Sequence, residues 1–199
     1  MSTHEACTES ESILIKGILD QLGEDLSALI DRELAFASVE GERVTERPAG
    51  KGSIHISFRL GFKTDLALQH GYLLIPLADA ISLAGCLLEI PEAGITSKRS
   101  LSTLDNGLKD AMVEIGNMIG GSASNALRAL EVEGVKVRFT GCQGVRAGIR
   151  PALIYRDETP LIVGSAKGSL PPFPAFKTVI ALPDLGSYLP LLDLDRSDS

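Results

Sequence analysis

The chain has 199 residues, 44% hydrophobic and 5% aromatic with no tryptophan, so its core is aliphatic and large enough for one substantial domain or two fused half-size units. A net charge of −7 and a pI near 5.0 argue against nucleic acid as the main partner, because phosphate binding needs a basic face. Cys7, Cys86 and Cys142 stand far apart, and with no signal peptide in view they are expected to be reduced thiols of a cytoplasmic protein.

Residues 1–10 are polar and expected to be disordered. The apolar period of Ile15, Leu19, Leu22, Leu26, Leu29 and Ile30 predicts a helix over 11–33. Strands are expected over 34–39 and 53–60, the second alternating Ile54, Ile56, Phe58 and Leu60 with polar neighbours. Gly50 to Ser53 reads as a turn, since the upstream glycine of a phosphate loop is missing. A strand over 65–77 and a short buried helix over 78–90 follow. The run from Tyr72 to Pro91 is interrupted by Pro76, Asp79, Gly85 and Glu89, which is too broken for membrane insertion, and Cys86 within it is a small core residue.

Residues 95–102 read as a linker whose Ser and Thr serve as helix caps. The longest helix is expected over 104–131, with Gly134 as its stop signal. Val135 to Phe139 alternates as a strand. Ala152–Tyr155 and Leu161–Ala166 are expected to form a hairpin around Arg156 to Pro160. Pro171 to Pro174 is a rigid connector, Val179–Leu182 a last strand, Leu185–Leu192 a short terminal helix and 193–199 a solvated tail. His4, His55 and His70 have no second ligand at useful spacing, which argues against a metal site and against a His-based triad.

The element order repeats: helix, strands, helix, then helix, strands, helix. This predicts a pseudo-duplication of about 95 residues per half, with halves near 11–94 and 102–192 inside one domain over 11–192. The expected fold class is α+β in two layers, with two long adjacent helices packed on a largely antiparallel sheet.

The longest helix carries the chemistry. Asp110, Glu114, Asn117 and Gly121 share one stripe at about 3.6 residues per turn, and Met112, Ile115, Ile119, Ala123, Ala126 and Leu130 share the opposite one. On spacing alone the polar stripe is an ordinary solvated face. Asn is a poor helix-interior residue, however, and Gly116, Gly120 and Gly121 each cost a helix about 1 kcal/mol relative to Ala. A sequence that accepts those costs gains either close packing of another helix or docking of a partner. The stripe places a carboxylate and a carboxamide one turn apart beside open space at Gly121, a layout for gripping a cation and placing a water molecule.

Asp110-x3-Glu114-x2-Asn117 followed by small residues resembles the signature of the CheC/CheX/FliY-type chemotaxis phosphatases. The resemblance extends over most of the chain. Gly71 to Leu77 is similar to the strand before the family's short middle helix, Val135 to Val145 to the strand after its catalytic helix, and Val179 to Leu189 to its final strand and helix. The resemblance implies a cytoplasmic hydrolase of two-component chemotaxis signalling that acts on the aspartyl phosphate of a phosphorylated CheY-like response regulator. Glu114 would pair with a lysine of the regulator and Asn117 would orient the attacking water. Asp110, Gly121 and Ser124 would contact the partner. The protein would have no cofactor of its own, Mg2+ belonging to the regulator, and a homodimer is compatible with the family.

Two departures stand beside it. In the first helix Leu14 and Gly17 occupy the positions aligned with Glu and Asn, so that half is expected to be catalytically empty. Where the family has a proline after the catalytic helix, this chain has Gly141 and Cys142. A non-enzymatic adaptor or switch-type module of the same fold, docking a response regulator without dephosphorylating it, is the alternative reading.

Overall fold

In the computed structural model, which describes residues 4–153 and 160–189, helix α1 (Glu9–Ile30) starts at a capping box. The Glu11 N–H donates to Thr8 Oγ1 at 3.3 Å and the Thr8 N–H donates to Glu11 Oε2 at 2.9 Å. Just before it, β1 (His4–Ala6) pairs antiparallel with β2 (Ala35–Val44). Residues 4–10 are therefore ordered, contrary to the expected disorder. The box satisfies N–H groups that a helix start leaves open, and β1 covers part of an otherwise open strand edge.

The sheet is completed by β3 (His55–Lys63), β4 (Leu68–Pro76), β5 (Lys136–Val145), β6 (Leu161–Ser169) and β7 (Phe176–Pro183). Its order is β1-β2-β6-β7-β4-β3-β5, and every pairing is antiparallel. The other helices are α2 (Leu77–Leu87), α3 (Glu92–Lys98) and α4 (Asn106–Ala129). One apolar cluster joins α1, α2 and α4 to one face of the sheet. A smaller cluster of Val44, Tyr72, Leu74, Leu161, Val163 and Ala181 occupies the other face. There the Tyr72 hydroxyl donates to the Pro48 carbonyl at 2.7 Å. The sheet thus alternates between a thick core layer and a thin one.

Several elements differ from the sequence expectation for identifiable reasons. The expected linker over 95–102 contains most of α3, anchored by fully buried Ile95 in the space left by Gly85. A single apolar anchor produces no periodicity to read. Helix α4 ends at Ala129, two residues before its backbone turns left-handed, and not at Gly134. Glu131 has φ 56, its N–H donates to the Arg128 carbonyl at 3.1 Å, and the Val132 N–H donates to the Leu127 carbonyl at 2.9 Å. Gly134, φ 76, instead forms the approach to β5 beside the Tyr188 ring. Ala152 and Leu153 are not strand, and residues 154–159, which hold the rest of that expected strand and all of the expected turn but Pro160, lie outside the described residues. Residues 186–188 form a turn where a terminal helix was expected, and 190–199 lie outside the described residues.

Helices α1 and α4 lie against each other. Ser122 Oγ donates to Asp25 Oδ2 at 2.7 Å, and Leu130 fits over Gly17. Helix α4 is also pressed onto β5. A Cβ on Gly116 would fall 2.3 Å from the Phe139 ring, and one on Gly120 would fall 2.8 Å from the Phe139 backbone nitrogen. A Cβ on Gly121 would meet nothing within 4 Å. The three glycines therefore divide: two permit a helix-on-strand seam, where the sequence suggested helix-on-helix packing, and one leaves the outer face open. Gly120→Ala is expected to cost about 1–3 kcal/mol despite the better helix propensity, because the obstacle is backbone. Gly121→Ala is expected to gain about 1 kcal/mol. Urea unfolding of the two variants measures the contrast, and equal midpoints would refute the seam.

A second tie closes the N-terminal half onto the C-terminal one. Arg43 of β2 donates to Glu11 Oε1 and to Asp184 Oδ2, each at 2.6 Å, and the Glu11 side chain is almost wholly buried. Removing the arginine leaves a buried carboxylate without its cation, so Arg43→Ala is expected to destabilise by about 3 kcal/mol. The double change Glu11→Gln with Arg43→Met is expected to recover most of that loss in the same unfolding assay.

Candidate functional site

Helix α4 begins at Asp105, whose Oδ1 accepts the Leu108 N–H at 2.8 Å. That hydrogen bond, followed by Lys98 at 3.2 Å, holds the Asp105 carboxyl below its usual range. The cap is therefore intact at neutral pH and is lost as pH falls through that titration. From this start the helix turns Ala111, Met112, Ile115, Ile119, Ala123 and Ala126 into the core. Asp110, Glu114, Asn117 and Gly121 face solvent, Ser124 is half-buried, and Leu130 is half-buried over Gly17. The stripe read from the sequence is thus the outer face of the helix, fixed by the burial of the opposite one.

The structure brings Asp110, Glu114 and Asn117 together in an open groove of about 490 Å³. Ala111 and Met118 of α4 also line it, with Leu29 from the last turn of α1 and Leu87 and Leu88 from the end of α2. Gly121 and Ser124 continue the stripe toward the helix C-terminus and do not line the groove. The side chains of Asp110, Glu114 and Asn117 have no hydrogen-bond or ion-pair partner among the described residues. A carboxylate and a carboxamide one turn apart, both open to solvent, are available to a cation and to a water molecule carried by another molecule. No group of three His, Cys, Asp or Glu side chains is placed to hold a metal ion among the described residues.

Reading the sequence missed the apolar part of this groove. Leu29 was assigned to the core by its helical period, but it is 38% exposed, and Leu88 is 43% exposed. Leu88 stands in a continuous apolar run, in which core and surface residues look alike. The signal that marks it is structural. Glu89 takes φ 53, which ends α2 and turns Leu88 outward.

Beneath the site, Gly141 stands where a proline was aligned. Its φ of 127 is one that proline, fixed near −65°, never adopts. The strand bulges here against β3. Arg59 Nε donates to Thr140 Oγ1 at 3.1 Å, Arg59 Nη2 donates to the Thr140 carbonyl at 3.2 Å, and Thr140 Oγ1 donates back to the Arg59 carbonyl at 3.2 Å. Reciprocal hydrogen bonds hold the segment that a proline ring would otherwise stiffen.

No helix among the described residues is long and apolar enough to cross a membrane. No family model matches the sequence, and no curated protein matches it. Solved structures do match. The chain is similar to Thermotoga maritima FliY with a TM-score of 0.65 at 14% identity, over 89% of this chain and 92% of that one. It is similar to the chemotaxis protein CheX from Desulfovibrio desulfuricans with a TM-score of 0.53 at 15% identity, over 84% and 97% of the two chains. It is also similar to H. pylori FliM, solved in a complex with SpeE, with a TM-score of 0.59 at 10% identity, over 89% and 90%. At these identities the likeness concerns the fold. The exposed polar stripe thus sits on a chain that has the CheC/CheX/FliY-type fold of chemotaxis proteins.

Proposed function

We propose that this protein is a phosphatase of response regulators, hydrolysing the aspartyl phosphate of a CheY-like partner through one motif on α4. The observation that carries the reading is the pair Glu114 and Asn117. The two are one turn apart, open to solvent, unpartnered among the described residues, and set in a groove at the helix junction. Glu114 grips a lysine of the regulator. Asn117 enters the regulator's site, accepting a hydrogen bond from the attacking water while its amide donates to a neighbouring acceptor. The water oxygen bonds to phosphorus as the acyl-phosphate P–O bond breaks. The aspartate leaves as a carboxylate, and the water's proton passes to phosphate or solvent. An acyl phosphate is already activated, so positioning and charge balance suffice. Mg2+ belongs to the regulator and offsets phosphate charge there. Asp110 supports docking at the rim, and Gly121 and Ser124 lie on the part of the helix that the regulator would approach.

We also read the chain as a duplication in which only the second half carries the motif. The buried stripes of α1 and α4 coincide when shifted by 97 residues, the separation of Asp25 and Ser122, which bond each other between the helices. The strand order β2-β6-β7-β4-β3-β5 also maps onto itself when the halves are exchanged. On this register the counterparts of Glu114 and Asn117 are Gly17 and Asp20. Leu14, aligned with Glu114 by sequence, is fully buried and cannot face a partner. Asp20 is ion-paired with Lys16. Neither half-site residue of α1 supplies a carboxamide.

The similarity to FliM, a chain crystallised with a protein partner, favours the adaptor as the second reading. Kinetics separate the two. Asn117→Ala is expected to slow accelerated dephosphorylation a hundredfold or more, about 3 kcal/mol in transition-state stabilisation, with affinity within a few-fold. Glu114→Ala is expected to weaken both affinity and rate. Single-turnover decay of phosphorylated regulator, with and without the protein, measures this. A wild type that binds the regulator without hastening decay makes the chain an adaptor. In the same assay, Lys16→Ala and Asp20→Ala are expected to leave the rate within twofold. A large loss with folding intact would place a second site on α1.

A further inference from the structure

We propose that the apolar side of the groove between α1, α2 and α4 is the docking slot that selects the response regulator, taking an apolar side chain of the regulator against Leu29, Leu88 and Met118 while a neighbouring cationic side chain meets Asp110. The proposal rests on the phosphatase-or-adaptor reading of α4 and names the surface by which that partner is held.

The first observation is convergence. Single exposed apolar residues are ordinary on any surface. Eight large hydrophobic side chains are exposed among the described residues, and three of them, Leu29, Leu88 and Val113, come from three different elements to the neighbourhood of Asn117. Val113 lies one turn before Asn117 on the outer face of α4, and Leu29 and Leu88 line the groove itself. An apolar patch contiguous with unpartnered polar groups is the composition of an interface centre with its polar anchor.

The second observation is rigidity. The helix ends that carry the two leucines are both locked by left-handed, non-glycine residues. Asp31 has φ 50 after α1 and Glu89 has φ 53 after α2. Each such residue costs about 1–2 kcal/mol. At α2 the Glu89 N–H donates to the Cys86 carbonyl at 3.0 Å and the Ile90 N–H donates to the Gly85 carbonyl at 2.9 Å. The leucines are held outward by backbone geometry. Their exposure is preorganised, and the ordering cost of binding is correspondingly small.

The third observation selects the occupant. The charged residues lining the groove are Asp110 and Glu114, both acidic, so the slot fits an apolar side chain with a cation beside it. It disfavours an anionic lipid surface. It also disfavours a second copy of a chain whose net charge is −7. Because Glu114 and Asn117 line the same groove, whatever presents the phosphoryl group to them also covers Leu29 and Leu88.

The test separates holding from chemistry. The response regulators of the source organism, held in the active state with beryllofluoride, are titrated calorimetrically against wild type, Leu29→Ser, Leu88→Ser and the double variant. Leu66→Ser, on the β3–β4 hairpin away from the groove, is the control. Single-turnover decay at saturating protein gives the rate. The double variant is expected to bind at least tenfold more weakly with its saturated rate within twofold of wild type, Leu88→Met is expected to retain affinity, and Leu66→Ser is expected to change neither quantity. Thermal unfolding of the variants should stay close to wild type because the leucines are exposed. An unchanged Kd in the double variant overturns the slot, as does a lost rate at unchanged Kd or a wild type that binds none of the regulators. If the wild type binds without hastening decay and the double variant still loses affinity, the slot stands and the catalytic reading falls.

Discussion

Everything about the site depends on how closely α4 approaches β5. Phe139 occupies the space that side chains on Gly116 and Gly120 would fill, and this contact fixes both the height and the rotation of the helix on the sheet. With that rotation set, Ile115 and Ile119 are buried and Glu114 and Asn117 are not. A helix seated one residue differently would bury a carboxylate in an aliphatic core, at a cost far above that of any single contact. The glycine costs in α4 are therefore offset by packing at two positions, and by open outer surface at the third.

The rest of the molecule reads as support for that placement. Arg43 couples the start of α1 to the segment after β7 through Glu11 and Asp184. Arg99 couples the end of α3 to buried Asp79 on α2 at 2.8 Å and also donates to Ser82. Burial raises the Asp79 carboxyl above its usual range, and the arginine opposes that shift, so the pair is held together by the cost of separating it in a poorly solvated place. These ties fix α2, and the left-handed turn after it presents Leu88 to the groove. The buried carboxylates Glu11 and Asp79 are paired with arginines, whereas Asp110 and Glu114 on the surface have no ion-pair partner among the described residues. That asymmetry distinguishes groups that hold the structure from groups available to a partner.

Much of this was legible in the sequence, because helical period, alternation and turn residues act locally. The amphipathic stripes of α1 and α4 and the strands around Phe58, Tyr72 and Val137 follow from which side chains must leave water. So does the exposure of Glu114 and Asn117, since the opposite stripe is uniformly apolar. Features that depend on partners distant in sequence were not legible. Ile95 anchors α3 only because Gly85 leaves room for it. β1 is a strand only because the edge of β2 is there to be covered.

By itself, the sequence determined the fold class, the face of α4 that meets solvent and the chemical identity of the groups on it. These are set by side-chain type and by the periods of helix and strand. Only the tertiary structure decided which surface surrounds those groups. Leu29, Leu88 and Asn117 are far apart in the chain, and nothing local brings them together. Packing of three helices on one sheet does, and the backbone turns after α1 and α2 decide that both leucines face outward and not into the core.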